Sequence, residues 1–129
     1  VKFDRISYDT YPKRVLESEF EKIPDITEVT DLKDFNVIYN EIDINQHVNN
    51  PVYLIWALEA VPYEILSNYN PTEIEMSFKS NVCYGDKISS ICQIINNENE
   101  LISLHTINQK TTDKELVRIR MKWSEVHET

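Results

Sequence analysis

The feature that most narrows the possible folds is a helix-like stretch with almost no polar side. Pro51 opens it, and Val52, Leu54, Ile55, Trp56, Ala57, Leu58, Ala60 and Val61 follow, with Glu59 as the lone charge. A helix lying on a surface keeps its apolar residues to one stripe, whereas one that is apolar all round has to be wrapped by other structure. Proline suits the first turn of a helix, where its missing N–H is no loss, and Asn49 or Asn50 suits the cap before it. These signals predict a buried helix over residues 52–66, with Pro62 kinking it or ending its regular part. Trp56 and Tyr53 read as core side chains, and Glu59 reads as a rim residue.

The wrapping has to come from strands. Residues 35–42 alternate and favour β structure, giving one strand before the helix. After it, residues 74–83 lead through Tyr84-Gly85-Asp86-Lys87, a turn signal, into 88–95. A polar loop at 96–99 then joins a strand at 101–109, and a turn at 110–114 leads to a last strand at 116–126. One strand, a buried helix and an antiparallel meander make the element order of an α+β hotdog fold, a curved antiparallel sheet wrapped around a central helix. The start of the chain is less regular. Residues 1–9 read as an isolated strand and 16–23 as a helical turn stopped by Pro24. Residues 1–33 are expected to form a linker and the tail of a preceding hotdog, and residues 34–129 the hotdog itself.

Composition removes several function classes. With 129 residues, 41% hydrophobic and 27% charged, the chain has the balance of a folded domain with one core. Its longest uncharged apolar run, residues 52–58, is far short of the roughly 20 residues a membrane-spanning helix needs. No charged start leads into an apolar stretch, so a cytoplasmic protein without a membrane span is expected. Cys83 and Cys92 read as reduced, buried thiols of neighbouring strands. A formal charge of −9 argues against nucleic acid as a partner. The single glycine, Gly85, excludes glycine-rich phosphate loops. His47, His105 and His127 are too scattered for a metal site, so neither metal nor cofactor is expected, and His105 and His127 read as structural or exposed.

Chemistry concentrates just ahead of the helix. Asp43, Asn45 and His47 recur at every second residue, which in extended chain turns all three to one side. The helix that follows offers free N–H groups with partial positive charge. A carboxylate, an amide, an imidazole and a helix N-terminus form the set that acyl transfer needs: one group activates water, others orient it, and donors meet the developing oxyanion. On spacing alone, the same residues also read as turn and capping residues.

The run Asp43-Ile44-Asn45-Gln46-His47-Val48-Asn49-Asn50, with Tyr53, Trp56, Leu58-Glu59 and Val61-Pro62 behind it, resembles the C-terminal hotdog of plant and bacterial acyl-ACP thioesterases. Gln46 is part of the match, since related acyl-CoA thioesterases usually carry glycine there. A looser likeness runs from about residue 14 to 123, with Phe78-Lys79 and Tyr84-Gly85-Asp86 as a second anchor. The resemblance implies hydrolysis of a fatty acyl thioester on acyl carrier protein, and a second hotdog in the parent chain or supplied by homodimerisation. It implies Asp43, Asn45 and His47 as active-site residues, with Asn49, Asn50 and Tyr53 meeting the substrate. Asp43 would act as general base or, alternatively, as a nucleophile, or His47 would be the base with Asn45 orienting it.

The family's fourth group is a glutamate in the next strand, followed in the plant enzymes by cysteine. Here Asn81 falls at the glutamate and Val82 at the cysteine, while a shift by one residue brings Cys83 to the cysteine. An amide is no base, so Asn81 implies slow or altered catalysis, and Cys83 is either a nucleophile or a core thiol. Two other readings are a single-hotdog acyl-CoA thioesterase and a non-catalytic acyl-binding hotdog. Arg118, Arg120 and Lys122 alternate with Ile119, Met121 and Trp123. This stripe is either a solvated sheet face or a docking surface for the acidic carrier.

Overall fold

The computed structural model describes residues 15–17, 22–36, 50–80 and 85–126. Among them six strands form one sheet: β1 (Val15–Glu17), β2 (Asp31–Asn36), β3 (Tyr69–Phe78), β4 (Lys87–Asn96), β5 (Leu101–Gln109) and β6 (Glu115–Glu125). Helices α1 (Asn50–Glu59) and α2 (Tyr63–Asn68) stand between β2 and β3. Across the sheet the order is β1-β3-β6-β5-β4-β2. Neighbours are antiparallel except β1, which runs parallel to β3.

Alternation along the strands gives the sheet an apolar face, on which Ile74, Met76, Ile88, Ile107, Ile119 and Met121 are almost fully buried against α1. On the helix, Tyr53, Leu54, Trp56, Ala57 and Leu58 are all buried. At about 100° per residue these positions sweep through more than half of the helix circumference. A flat sheet covers one stripe only, so this burial requires the sheet to bend around the helix. The wrapping is not complete among the described residues, because Val52, Ile55 and Glu59 form a narrow, partly exposed strip on the remaining side. Burying each large side chain contributes roughly 1.5–3 kcal/mol, so α1 is a principal source of the stability of the domain.

The helix stops where proline makes it stop. Ala60 and Val61 donate to the carbonyls of Ala57 and Leu58, three residues back, at 3.1 and 3.0 Å. This tightened last turn leaves the Trp56 carbonyl without its usual donor. The Ser90 hydroxyl of β4 supplies one at 2.9 Å, deep in the core. Pro62 then caps α2 in an extended conformation, and its carbonyl accepts from Ile65 and Leu66. The single helix expected over 52–66 is therefore two, broken at Pro62.

Other expectations shift at the edges. Residues 15–17 are a strand and not part of a helical turn: they pair with Ile74, Glu75 and Met76, covering an edge of β3 that would otherwise stand open. β3 begins at Tyr69, five residues before the expected start, because a register shift between Pro71 and Glu73 lets the ladder accommodate the proline. β2 begins at Asp31, although Asp31, Lys33 and Asp34 disfavour strand locally. Charged residues suit an edge strand, and the pairing with β4 overrides their propensity.

Between β1 and β2 the chain crosses the face of the sheet opposite α1. The Ile23 carbonyl accepts from Arg118 of β6 at 2.9 Å, and Ile23 itself is fully buried. Further along, the Thr27 N–H donates to Gln93 Oε1 at 2.9 Å. Thr30 N–H then donates to the Cys92 carbonyl at 2.7 Å, while its hydroxyl accepts from the Ile94 N–H at 2.8 Å. Residues 22–30 thus form a strap from β6 to β4.

Candidate active site

The strand ends anchor the two segments that carry most of the expected site residues. Phe35, next to last in β2, stacks on Trp56 of α1 with ring centroids 6.2 Å apart. Trp56 meets Tyr53 edge-on at 5.5 Å, and Tyr53 meets Phe78, the last residue of β3, edge-on at 5.3 Å. Four rings therefore tie the ends of β2 and β3 to α1, and edge-on pairs of this kind contribute about 0.5–1.5 kcal/mol beyond burial. Beyond Phe78, the N–H groups of Lys79 and Ser80 donate to the Leu116 carbonyl at 2.8 and 3.3 Å. On the other side, Asn36 pairs with Lys87, the first residue of β4. The residues that bound 37–49, namely Asn36 and Asn50, and those that bound 81–84, namely Ser80 and Gly85, consequently stand at one end of the sheet.

Those two segments carry most of the expected site. Asp43, Asn45, His47, Asn49, Asn81 and Cys83 lie outside the described residues. Asn50 is the first residue of α1, so the helix begins directly behind the Asp43–Asn49 run. An α-helix does not satisfy the N–H groups of its own first turn, and Pro51 lacks one of them. Tyr53 is 1% exposed, a ring held between Phe78 and Trp56. Gly85 has a φ of +89° with open space around a would-be side chain, so it is glycine for conformation and not for room.

The remaining titratable candidates resolve into structural roles. His105 is buried on the apolar face of the sheet. Its Nε2 lies 2.7 Å from the Ser103 hydroxyl, which also accepts from Trp123 Nε1 at 2.9 Å. Among the described residues His105 Nδ1 has no hydrogen-bond partner. Desolvation pushes the imidazole down to about 3, so it is neutral at physiological pH. Cys92 is a free, buried thiol pushed up to about 12, first by burial and then by the negative charge of Asp31. It is thus a core thiol, as expected, and not a nucleophile.

The basic stripe of β6 is occupied from within. Arg118 is bonded to Glu115 at 2.8 Å, to Asp25 and to the Ile23 carbonyl. Arg120 is paired with Glu75, and Lys122 lies 3.6 Å from Glu73 and 3.4 Å from Glu100. Burial alone would raise the Glu115 carboxyl, but its bonds to Arg118 and Thr106 hold it below the usual value. Each cation of this stripe thus already faces a carboxylate of this chain, which favours the solvated-face reading over the carrier-docking one. What sequence reasoning missed was Ser90 and Ser103. Two serines on the apolar face of otherwise hydrophobic strands were the available signal, since a buried hydroxyl needs a partner.

A model of the acyl-ACP thioesterase C-terminal domain matches residues 25–125. Among characterised relatives, a chloroplastic dodecanoyl-[acyl-carrier-protein] hydrolase of Cinnamomum camphora is 28% identical over 87 residues, 66% of this chain and 22% of that protein. A chloroplastic oleoyl-acyl carrier protein thioesterase 2 of Arabidopsis thaliana is 34% identical over 73 residues, 56% of this chain and 20% of that protein. Among solved structures, the 12:0-ACP thioesterase from Umbellularia californica superposes with a TM-score of 0.72 at 20% identity, over 84% of this chain and 42% of that one. The shared architecture is the hotdog. The chain spans about a fifth of the length of these two curated relatives.

Proposed function

This chain belongs to the acyl-ACP thioesterase C-terminal domain family, and from that premise we propose that it supplies the hydrolytic residues of an enzyme that releases fatty acids from acyl carrier protein. The observation that carries the proposal is the junction at Asn50. The family match runs through Asp43-Ile44-Asn45-Gln46-His47-Val48-Asn49-Asn50, and α1 starts at the last residue of that run. In the proposed reaction the Asp43 carboxylate takes a proton from water while Asn45 and His47 orient both. The hydroxide adds to the thioester carbonyl, and the N–H groups of the first turn of α1, near residues 50–53, stabilise the oxyanion. Collapse breaks the C–S bond, the carrier thiolate takes up a proton, and a fatty acid leaves.

In this proposal the second hotdog comes from the parent chain or a second copy, and residues 1–33 lead to it. The partly exposed strip Val52, Ile55 and Glu59 of α1 is the side of the helix left for such a neighbour. A reducing compartment such as the cytoplasm suits the free Cys92 thiol.

The test is single-turnover hydrolysis of an acyl-carrier substrate by the full-length protein and by Asp43→Asn and His47→Ala variants, following release of free thiol. Asp43→Asn is expected to lower the rate by about 10²–10⁴. Full turnover by Asp43→Asn with loss in His47→Ala would move the base to His47. A second reading, an acyl-binding hotdog without catalysis, is favoured by Asn81 in place of the family's glutamate. Binding of the acyl carrier without thiol release by the wild type would establish it instead.

A further inference from the structure

Phe78 of β3, Val117 of β6, Ile107 of β5 and Ser90 of β4 are successive cross-strand partners, so their side chains stand in one row on the face that packs against α1. Val117, Ile107 and Ser90 are all fully buried, and Ser90 is the polar member of the row. Both ends of the row touch the helix. The Phe78 ring meets Tyr53, and the Ser90 hydroxyl donates to the Trp56 carbonyl at 2.9 Å. Three strand spacings of about 4.8 Å separate these ends, roughly 14 Å. The two contacts differ in kind. Dispersion between rings and aliphatic groups is individually weak and changes gently over a few tenths of an ångström. A hydrogen bond is directional and weakens steeply when bent. A hydroxyl in an apolar row also gives up hydration that an aliphatic side chain would not, and a satisfied buried polar pair specifies one packing among several similar ones.

We propose that Ser90 is a positioning residue: its bond to the Trp56 carbonyl fixes where α1 sits along its own axis, and so where the first-turn N–H groups meet the thioester oxygen. The inference rests on the hydrolytic reading for the thioester and on the sheet register for the placement. Helix carbonyls point along the axis toward the C-terminal end, so a bond to one of them acts chiefly against axial slip. The rings of Phe35, Tyr53, Trp56 and Phe78 hold the helix onto the sheet but grip it less sharply along that direction. Trp56 lies one turn behind Val52, about 6 Å of helix rise, and the stretch between them is continuous helix. A slip at the carbonyl is therefore carried as a rigid displacement to the mouth of α1. Donors stabilise an oxyanion only at hydrogen-bond distance from it, and since a misplacement of about 1 Å lowers a rate about 10²-fold, a slip of a few tenths of an ångström lowers it about tenfold.

The experiment compares full-length wild type, Ser90→Ala and Ser90→Thr at a temperature where thermal melts show all three folded. KM and kcat are measured for an acyl-carrier substrate. Affinity is measured for an alkylthio-trifluoropropanone, whose hydrated ketone mimics the tetrahedral adduct, and for the same compound with a methylene in place of the carbonyl. For Ser90→Ala the expected result is a kcat lowered about tenfold at unchanged KM. Ketone binding weakens by a similar factor, while binding of the methylene compound is unchanged. Ser90→Thr, which keeps the hydroxyl, restores both kcat and ketone affinity. Wild-type kcat and ketone affinity in Ser90→Ala would overturn the positioning role and leave the hydrolytic reading standing. Equal weakening of the two compounds, or a Ser90→Thr enzyme no better than Ser90→Ala, would do the same, since a general loosening of the fold does not single out the carbonyl oxygen. If the wild type releases no thiol, the hydrolytic reading falls and the paired affinities decide. Selective loss of the ketone in Ser90→Ala then retains the positioning role; loss of both compounds, of neither, or no binding by the wild type sinks it.

Discussion

Replacing His105 by leucine should flatten the pH dependence of folding stability, and the structure supplies the magnitude. His105 is 1% exposed, its Nδ1 has no partner among the described residues, and its imidazole is pushed from 6.5 down to about 3 by desolvation. In the unfolded chain the ring takes up a proton below about pH 6.5; in the folded domain it does not until about pH 3. Between those values the unfolded state holds one more proton, so acidification favours unfolding. From pH 8 to pH 5 the displacement amounts to about 1.5 pH units at about 1.4 kcal/mol each, or about 2 kcal/mol. Asp34 and Glu115, whose carboxyls are held low, act in the same direction only below their ordinary values of 3.8 and 4.5. The window from pH 8 to pH 5 therefore isolates the histidine. Urea unfolding of wild type and His105→Leu at both pH values checks this, and the wild type should lose about 2 kcal/mol more than the variant. Other histidines cancel in that difference. Parallel losses in the two proteins would refute the claim that this imidazole is buried neutral.

Two further outcomes follow from single bonds. Ser90→Ala removes the buried 2.9 Å bond from the Ser90 hydroxyl to the Trp56 carbonyl and should cost about 0.5–1.5 kcal/mol, read as a lower urea midpoint, with Ser90→Thr recovering most of it. Arg118→Met releases Asp25 and the Ile23 carbonyl and leaves Glu115 to Thr106, so limited proteolysis should cut within residues 22–30 well before it cuts the sheet. Equal resistance of wild type and variant would show that the strap does not depend on Arg118.

The core of this fold was legible because its signals are local. The run from Val52 to Val61, apolar but for Glu59, announced a wrapped helix, Pro62 its interruption, and the turns around Gly85, Asn97 and Thr112 the meander. Strand β5 follows the expected 101–109 bounds, since polar turns punctuate it on both sides. What escaped was structure made by partners. β1 exists because an edge of β3 offers it a ladder, and the polar start of β2 is a strand only against β4. The stripe of Arg118, Arg120 and Lys122 was plain in the sequence, but most of its carboxylate partners come from elsewhere in the chain: the strap, β3 and the loop at 97–100, beside Glu115 of β6.

The strap also dictates a sequence of events. Ile23 is bonded to a residue 95 positions later, and Thr27 to one 66 positions later. A chain emerging from the ribosome has made both ends of the Thr27 bond once β4 is out, but the Ile23 contact waits for β6, the last strand. β3 waits for β6 as well. Closing such long loops costs entropy that local contacts must first offset. The hairpins β4–β5 and β5–β6, with turns of only a few residues, are the natural place for that to begin. A segment made before β2 to β6 thus becomes the final stitch, drawn across a sheet that has already formed beneath it.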